Sequence, residues 1–224
     1  MPTLGMVHTV HRVIPSLAGL AGELLPDVAQ LHYLDESVLQ DAIARDGLSP
    51  DIYRRVGQLV LLAAERCDAV LVTCSSIGPC AEAAAPMVKA PVLRIDEPMA
   101  RGAAAIGGRV GVIATLGSTL GPTADIVERC AHKAGTEVNV QRVLCRGAFE
   151  AASAGRHEEH DQIVLAGLQE LLSAGASAIV LAQASMARVA DLLPQPNATP
   201  ILSSPRSGIA RAGEVLHGLR LYAE

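Results

Sequence analysis

Three apolar segments recur along the 224-residue chain in the same order and at nearly constant spacing. LGMVHT at 4–9 resembles VGVIAT at 110–115, an offset of 106. DAVLVTCSS at 68–76 resembles SAIVLAQAS at 177–185, an offset of 109. PVLRIDEPMARGAA from Pro91 resembles PILSSPRSGIARAG from Pro200, again at 109. A repeat of this length predicts two similar, pseudo-symmetric α/β halves, 1–106 and 107–224, with a cleft between them. The last helix is free to cross back to the first half. Ligands of such sheets sit at the C-terminal ends of parallel strands, where loops and helix N-termini converge.

The local patterns agree. Strand candidates are 3–9, 29–33, 69–74, 91–95, 109–115, 137–144, 177–182 and 199–203. Most are continuous apolar runs, the pattern of parallel strands covered on both faces. Helical patterns at 51–66, 80–88, 97–106, 121–134, 157–174 and 206–219 lie between them. Strand–helix alternation reads as α/β with parallel sheets.

Composition narrows the function classes. Half of the residues are apolar and 18% are charged, enough for a large core. Eighteen Lys and Arg against 23 Asp and Glu give a charge of -5, which argues against a nucleic-acid partner. The longest apolar stretch, GQLVLLAAERCDAVLVTC, is broken by Glu65, Arg66 and Asp68, so no membrane span is expected. MPTLGMVHTVHRV lacks the layout of a secretory signal, and a cytoplasmic protein is expected. The five cysteines form no C-x-x-C pair and read as free thiols. Aromatic residues are few (Tyr33, Tyr53, Tyr222 and Phe149), which leaves little for stacking on planar groups. No glycine-rich nucleotide motif is present, so no cofactor is expected. No metal is expected either, because His8 and His11 have no third ligand at suggestive spacing.

Cys74 is the leading candidate for chemistry. It ends an apolar strand and precedes Ser75, Ser76, Ile77, Gly78 and Pro79, a turn into a helix capped by Ser with Pro in its first turn. A thiol at a helix N-terminus gains thiolate character from nearby backbone N–H groups. Thr115, Ser118 and Thr119 follow the fifth strand, ahead of a helix begun near Pro122. With Ser75 and Ser76 they offer hydroxyls and N–H groups suited to an anion. His8 and Thr9 follow the first strand and also approach the cleft. The H-x-x-H of His157 and His160 lies among charges and reads as a solvated face, while Ser203 and Ser204 are further strand-end positions.

DAVLVTCSSIGP, RVGVIATLGSTLGPT and IVLAQASMARVADLLP together resemble the aspartate/glutamate/hydantoin racemase superfamily, which also contains maleate isomerase and arylmalonate decarboxylase. The resemblance covers 3–219 and implies two cysteines facing one substrate, one from each half. Cys74 matches the first. The family's Gly-Cys-Ala-Gly-Met pattern falls on Ala182, Gln183, Ala184, Ser185 and Met186, so Gln183 stands at the second thiol position. An amide has no acid/base capacity, and a symmetric two-thiol mechanism is not available from these positions. Gln183 could bond a carboxylate or carbonyl instead, beside Ala184 and Ser185. Cys145, or Glu150 in the same loop, is the alternative source of the missing proton. The resemblance also implies that the 75–76 and 115–119 loops hold a substrate carboxylate, and that the protein is a homodimer or higher assembly.

Three functions follow. The first is a cofactor-independent racemase or isomerase in which Cys74 acts on a small carboxylic or amino acid. A single thiol would also suffice for a decarboxylase or other lyase. The third is a binding protein that kept the pocket without the chemistry. Few aromatics favour an aliphatic oxo-, hydroxy- or amino acid. A second carboxylate would call for an Arg such as Arg12, Arg94, Arg146, Arg188 or Arg206.

Overall fold

The computed structural model describes residues 1–193 and 198–221. Pro194, which closes one of the motifs above, lies outside them. The first half runs β1 (Thr3–His8), α1 (Ile14–Leu24), β2 (Ala29–Leu34), α2 (Glu36–Ala44), α3 (Pro50–Ala64), β3 (Ala69–Val72), α4 (Gly78–Ala84) and β4 (Val92–Arg94). After α5 (Glu97–Ile106) the second half runs β5 (Gly108–Ala114), α6 (Gly117–Ala134), β6 (Val138–Leu144), α7 (Ala148–Ser153), α8 (His157–Ser173), β7 (Ala178–Leu181), α9 (Ala187–Ala190) and β8 (Ile201–Ser203). The chain then forms α10 (Ser204–Leu221).

Each half holds a four-stranded sheet, ordered β2-β1-β3-β4 in the first and β6-β5-β7-β8 in the second. All pairs are parallel. The repeat is therefore an architectural one, with β1, β2, β3 and β4 reappearing as β5, β6, β7 and β8. It extends to packing. A Cβ on Gly5 of β1 would lie 2.9 Å from Cys67 Sγ, and one on Gly111 of β5 would lie 2.7 Å from Leu171 Cδ1. In both halves a glycine on the strand thus lets a covering segment approach closely.

Alternation along the strands sorts the cores. Val7, Val70 and Val72 face Ile52, Val56 and Val60 of α3 with Ala81 and Ala84 of α4. Leu4, Met6 and Leu71, on the opposite face, pack with Leu17 of α1 and with Ile209, Ala212 and Leu216 of α10. In the second sheet Ile113, Ile179 and Leu181 face Val164, Leu168 and Leu171 of α8. Val110, Val112 and Val180 face Met99, Ala100 and Ala103 of α5 and Ala124, Ile126 and Val127 of α6. By packing the chain divides into Met1–Pro98 with Pro205–Glu224, and Met99–Ser204. The repeat boundary at 106/107 and this packing boundary at 98/99 differ because α5 covers the second sheet, while α10 covers the first.

Helix α6 begins at Gly117, earlier than the start near Pro122 read from the sequence, and Pro122 lies inside it. Proline there removes only the ladder bond to the carbonyl of residue 118, near an end where bonding is already incomplete. His160 corrects another reading. It is buried rather than on a solvated face, with Nδ1 2.8 Å from Asp161 Oδ1. Among the described residues no helix is long and apolar enough to cross a membrane.

Candidate active site

In the first unit, β3 ends at Val72 and Cys74 opens a single 3-10 turn over Ser75–Ile77 that leads into α4. Cys74 is half-buried against the face formed by Val7 and Val72. Ser75 and Ser76 are buried within the turn. Neither hydroxyl caps α4: Ile77 stands at that N-cap with no side-chain bond, which corrects the Ser cap expected from the sequence. Thr9, one residue past β1, is buried, and its hydroxyl has no hydrogen-bond partner.

His8, the last residue of β1, is fully buried, and both of its ring nitrogens are engaged. Nε2 lies 2.9 Å from His32 Nδ1, and Nδ1 lies 2.9 Å from Thr73 Oγ1. Burial, and then the neighbouring His32, lower its pKa to about 4, so the imidazole is neutral near pH 7. A ring with both nitrogens occupied has none left for a substrate, so the geometry gives His8 a supporting place rather than a binding one.

Arg94 at the end of β4 is consumed as well. Its Nε and Nη2 donate to the two oxygens of buried Asp96 at 2.9 and 2.8 Å, and Nη1 donates to Glu82 at 2.9 Å. The guanidinium lies against Gly78, in the first turn of α4, where a Cβ would collide with it. Arg188 pairs with Asp161, and Arg206 with Glu23.

The second unit repeats the layout with other chemistry. Gln183 follows β7 as Cys74 follows β3, and it opens a 3-10 turn over Ala184–Met186. The two turn-opening residues share an extended backbone, with φ/ψ of -123°/119° at Cys74 and -132°/138° at Gln183. Thr115 takes the place of Thr9. Its N–H donates to Gln183 Oε1 at 2.6 Å, and its hydroxyl lies 3.1 Å from the same oxygen. An N–H cannot donate to an NH2 group, so the amide is fixed with its oxygen on Thr115 and its two N–H donors as the remaining polar group. Ser118 and Thr119 lie buried in the first turn of α6, and the Ser118 hydroxyl has no partner. Ala184 is half-buried and Ser185 exposed.

Cys145 belongs to a different environment. It packs with Ile113, Val143 and Leu168, and a Cβ on Gly167 would lie 3.0 Å from its Sγ. Burial pushes its pKa up to about 11. The loop position suggested by the sequence is in fact core, and this thiol is poorly placed to give or take a proton. Glu150, the other residue offered for that role, is exposed in α7. Cys80 on α4 is buried too, and burial, then neighbouring Cys74, pushes it to about 12. Among the described residues no group of three or more His, Cys, Asp or Glu could hold a metal ion. His32 carried no signal in the sequence. It stands in an ordinary alternating run, and only the pairing of β1 with β2 brings it to His8.

Paired parallel sheets with hydroxyl, amide and thiol groups at matching strand ends define a two-unit α/β enzyme. The chain belongs to the Asp/Glu/Hydantoin racemase family, whose model matches residues 7–212. Curated protein sequences give no match. Among solved structures it is similar to glutamate racemase isoform RacE1 from Bacillus anthracis, at 17% identity and a TM-score of 0.71 over 97% of this chain and 82% of that one. Allantoin racemase from Klebsiella pneumoniae gives 18% and 0.67 over 98% and 89%. Arylmalonate decarboxylase gives 14% and 0.57 over 97% and 93%.

Proposed function

We propose that the protein is a cofactor-independent enzyme in which Cys74 moves a proton at the carbon beside a carboxylate. The observation that carries this reading is the half-buried thiol at the head of the turn after β3, while one residue past β1, the strand paired with β3, the Thr9 hydroxyl is buried without a partner. Removing such a proton puts negative charge on the carboxylate oxygens. Fixed donors stabilise that charge without having to reorganise. The hydroxyls of Thr9, Ser75 and Ser76 are such groups within the unit that carries Cys74.

Family membership favours a racemase or isomerase. Gln183 favours a second reading, a decarboxylase or other lyase. Loss of carbon dioxide itself generates the carbanion, and one thiol then protonates it from one side. A two-sided exchange requires a second acid/base group, and an amide such as Gln183 has no proton to give or take. Arg94, one of the candidate partners for a second carboxylate in the first unit, is already held by Asp96 and Glu82. This favours a small aliphatic acid with one carboxylate in its recognised form.

Turnover in heavy water separates the readings. Deuterium entering recovered substrate is expected of a racemase or isomerase, whereas carbon dioxide released with one deuterium in the product is expected of a lyase. Cys74→Ser is expected to lower kcat by at least ~100-fold, the usual worth of a positioned acid or base. Wild-type turnover by that variant would remove both readings.

A further inference from the structure

We propose that His32 is a positioning residue, acting through His8 and Thr73 to hold the turn that presents Cys74. The proposal rests on the reading of Cys74 as the working thiol. Its basis is a chain of hydrogen bonds whose direction is fixed from one end. The Thr73 hydroxyl lies 3.0 Å from the Val7 carbonyl, which can only accept, so its single proton goes there. Thr73 Oγ1 must then accept from His8, which puts the His8 proton on Nδ1. A neutral ring with its proton on Nδ1 has a bare Nε2, and that atom must accept from His32 Nδ1–H. Three bonds therefore run one way, from exposed His32 through buried His8 and Thr73 to the Val7 carbonyl, and Thr73 adjoins Cys74.

Strand geometry shows how the chain acts. His8 pairs across the sheet with Leu34, while His32 pairs with Met6, two residues back on the same face. The two rings lie with centroids 5.2 Å apart and planes 25° apart. That face carries Leu4, Met6 and Leu71, whereas the Cys74 thiol packs on the Val7 and Val72 face. The imidazoles are thus on the far side of the sheet from the sulfur. Their influence passes through the backbone: Thr73 is tied to β1 by its hydroxyl and also by its N–H, which donates to Val7 at 3.0 Å. With residue 73 clamped twice, the peptide leading into Cys74 and the turn after it is held in one orientation. The second unit has no such chain, because Ala114 and Ala182 replace His8 and Thr73 at the same offsets. The device is specific to the half that carries the thiol.

The test reads the thiol directly and needs no substrate. Wild type, His32→Leu, His32→Asn, Thr73→Val and Thr73→Ser are treated with iodoacetamide at neutral pH, and Cys74 labelling is followed by peptide mass mapping. His32→Leu and Thr73→Val are expected to slow labelling roughly fivefold, the worth of one neutral hydrogen bond. His32→Asn, which keeps an N–H near the Nδ1 position, and Thr73→Ser, which keeps the hydroxyl, are expected to label like wild type. Nitrogen NMR is expected to place the His8 proton on Nδ1 in the wild type. Equal labelling in all five proteins, a Cys74 inert in every one, or a His8 proton on Nε2 would overturn the proposal. Should His32→Leu not fold, the Thr73→Val and Thr73→Ser pair carries the comparison alone. Turnover surviving in Cys74→Ser would defeat the functional reading without altering these rates, so the two failures are distinguishable.

Discussion

Gln183 opens the turn after β7, and its neighbours resist its replacement by a thiol. Thr115 directs both an N–H and a hydroxyl at Gln183 Oε1. Shortening the side chain leaves a part-buried backbone donor unmet. Gln183→Cys and Gln183→Leu are each expected to cost about 1–3 kcal/mol of stability, the penalty for a stranded donor. Gln183→Glu, which keeps an acceptor on Thr115, is expected to cost less than about 1 kcal/mol. Urea denaturation of the three variants checks the ranking, and equal losses would contradict it. The sequence pointed to Cys74, Thr9 and Ser118 as residues that follow apolar strands, and to Gln183 through the 109-residue offset from Cys74. It could not say that Gln183 reaches back to Thr115, nor that His8 has both nitrogens engaged. Those facts depend on side-chain reach and on strand register.

Helix α4 owes its position to a charge it does not carry. The Arg94 guanidinium lies against Gly78 and is pinned from the other side by both oxygens of Asp96. Neither partner has room to yield, since both are almost wholly buried. Gly78→Ala is expected to break this contact and to cost about 3–5 kcal/mol, the range for disrupting a buried ion pair. Thermal melting of this variant beside Gly57→Ala, where a Cβ meets nothing within 4 Å, makes the comparison. Similar melting temperatures would refute it. All eight strands were legible, most as short apolar runs and β2 and β6 as polar–apolar alternations, whereas α1, α2, α7 and α9 were not read. Helix α1 buries only Leu17 and Ala21, and Gly19 and Gly22 interrupt its pattern. Helix α9 spans four residues, too few for any periodicity. His160 was misread because Glu158 and Glu159, which are exposed, dominate the local composition.

One buried imidazole contributes to the acid sensitivity of the whole molecule. His8 titrates near 4 in the folded protein and near its ordinary 6.5 when unfolded. Between those values the unfolded chain takes up a proton that the native state refuses. Stability from this group is therefore intact above pH 6.5 and declines as pH falls toward 4, by up to about 3 kcal/mol. Replacing the ring by His8→Asn is expected to flatten that part of the pH profile in urea denaturation. An unchanged slope between pH 6.5 and 4 would assign it to other groups.

The exchange of α5 and α10 bears on how such a chain can be divided. A gene cut at 106/107 would separate Leu4, Met6 and Leu71 from Ile209, Ala212 and Leu216. The same fragment would carry Met99, Ala100 and Ala103 with no sheet to cover. Each product would be sticky on two sides, although each contains one complete four-stranded sheet. The traded helices tie the halves together: each sheet has one apolar face whose cover lies on the other side of the repeat boundary.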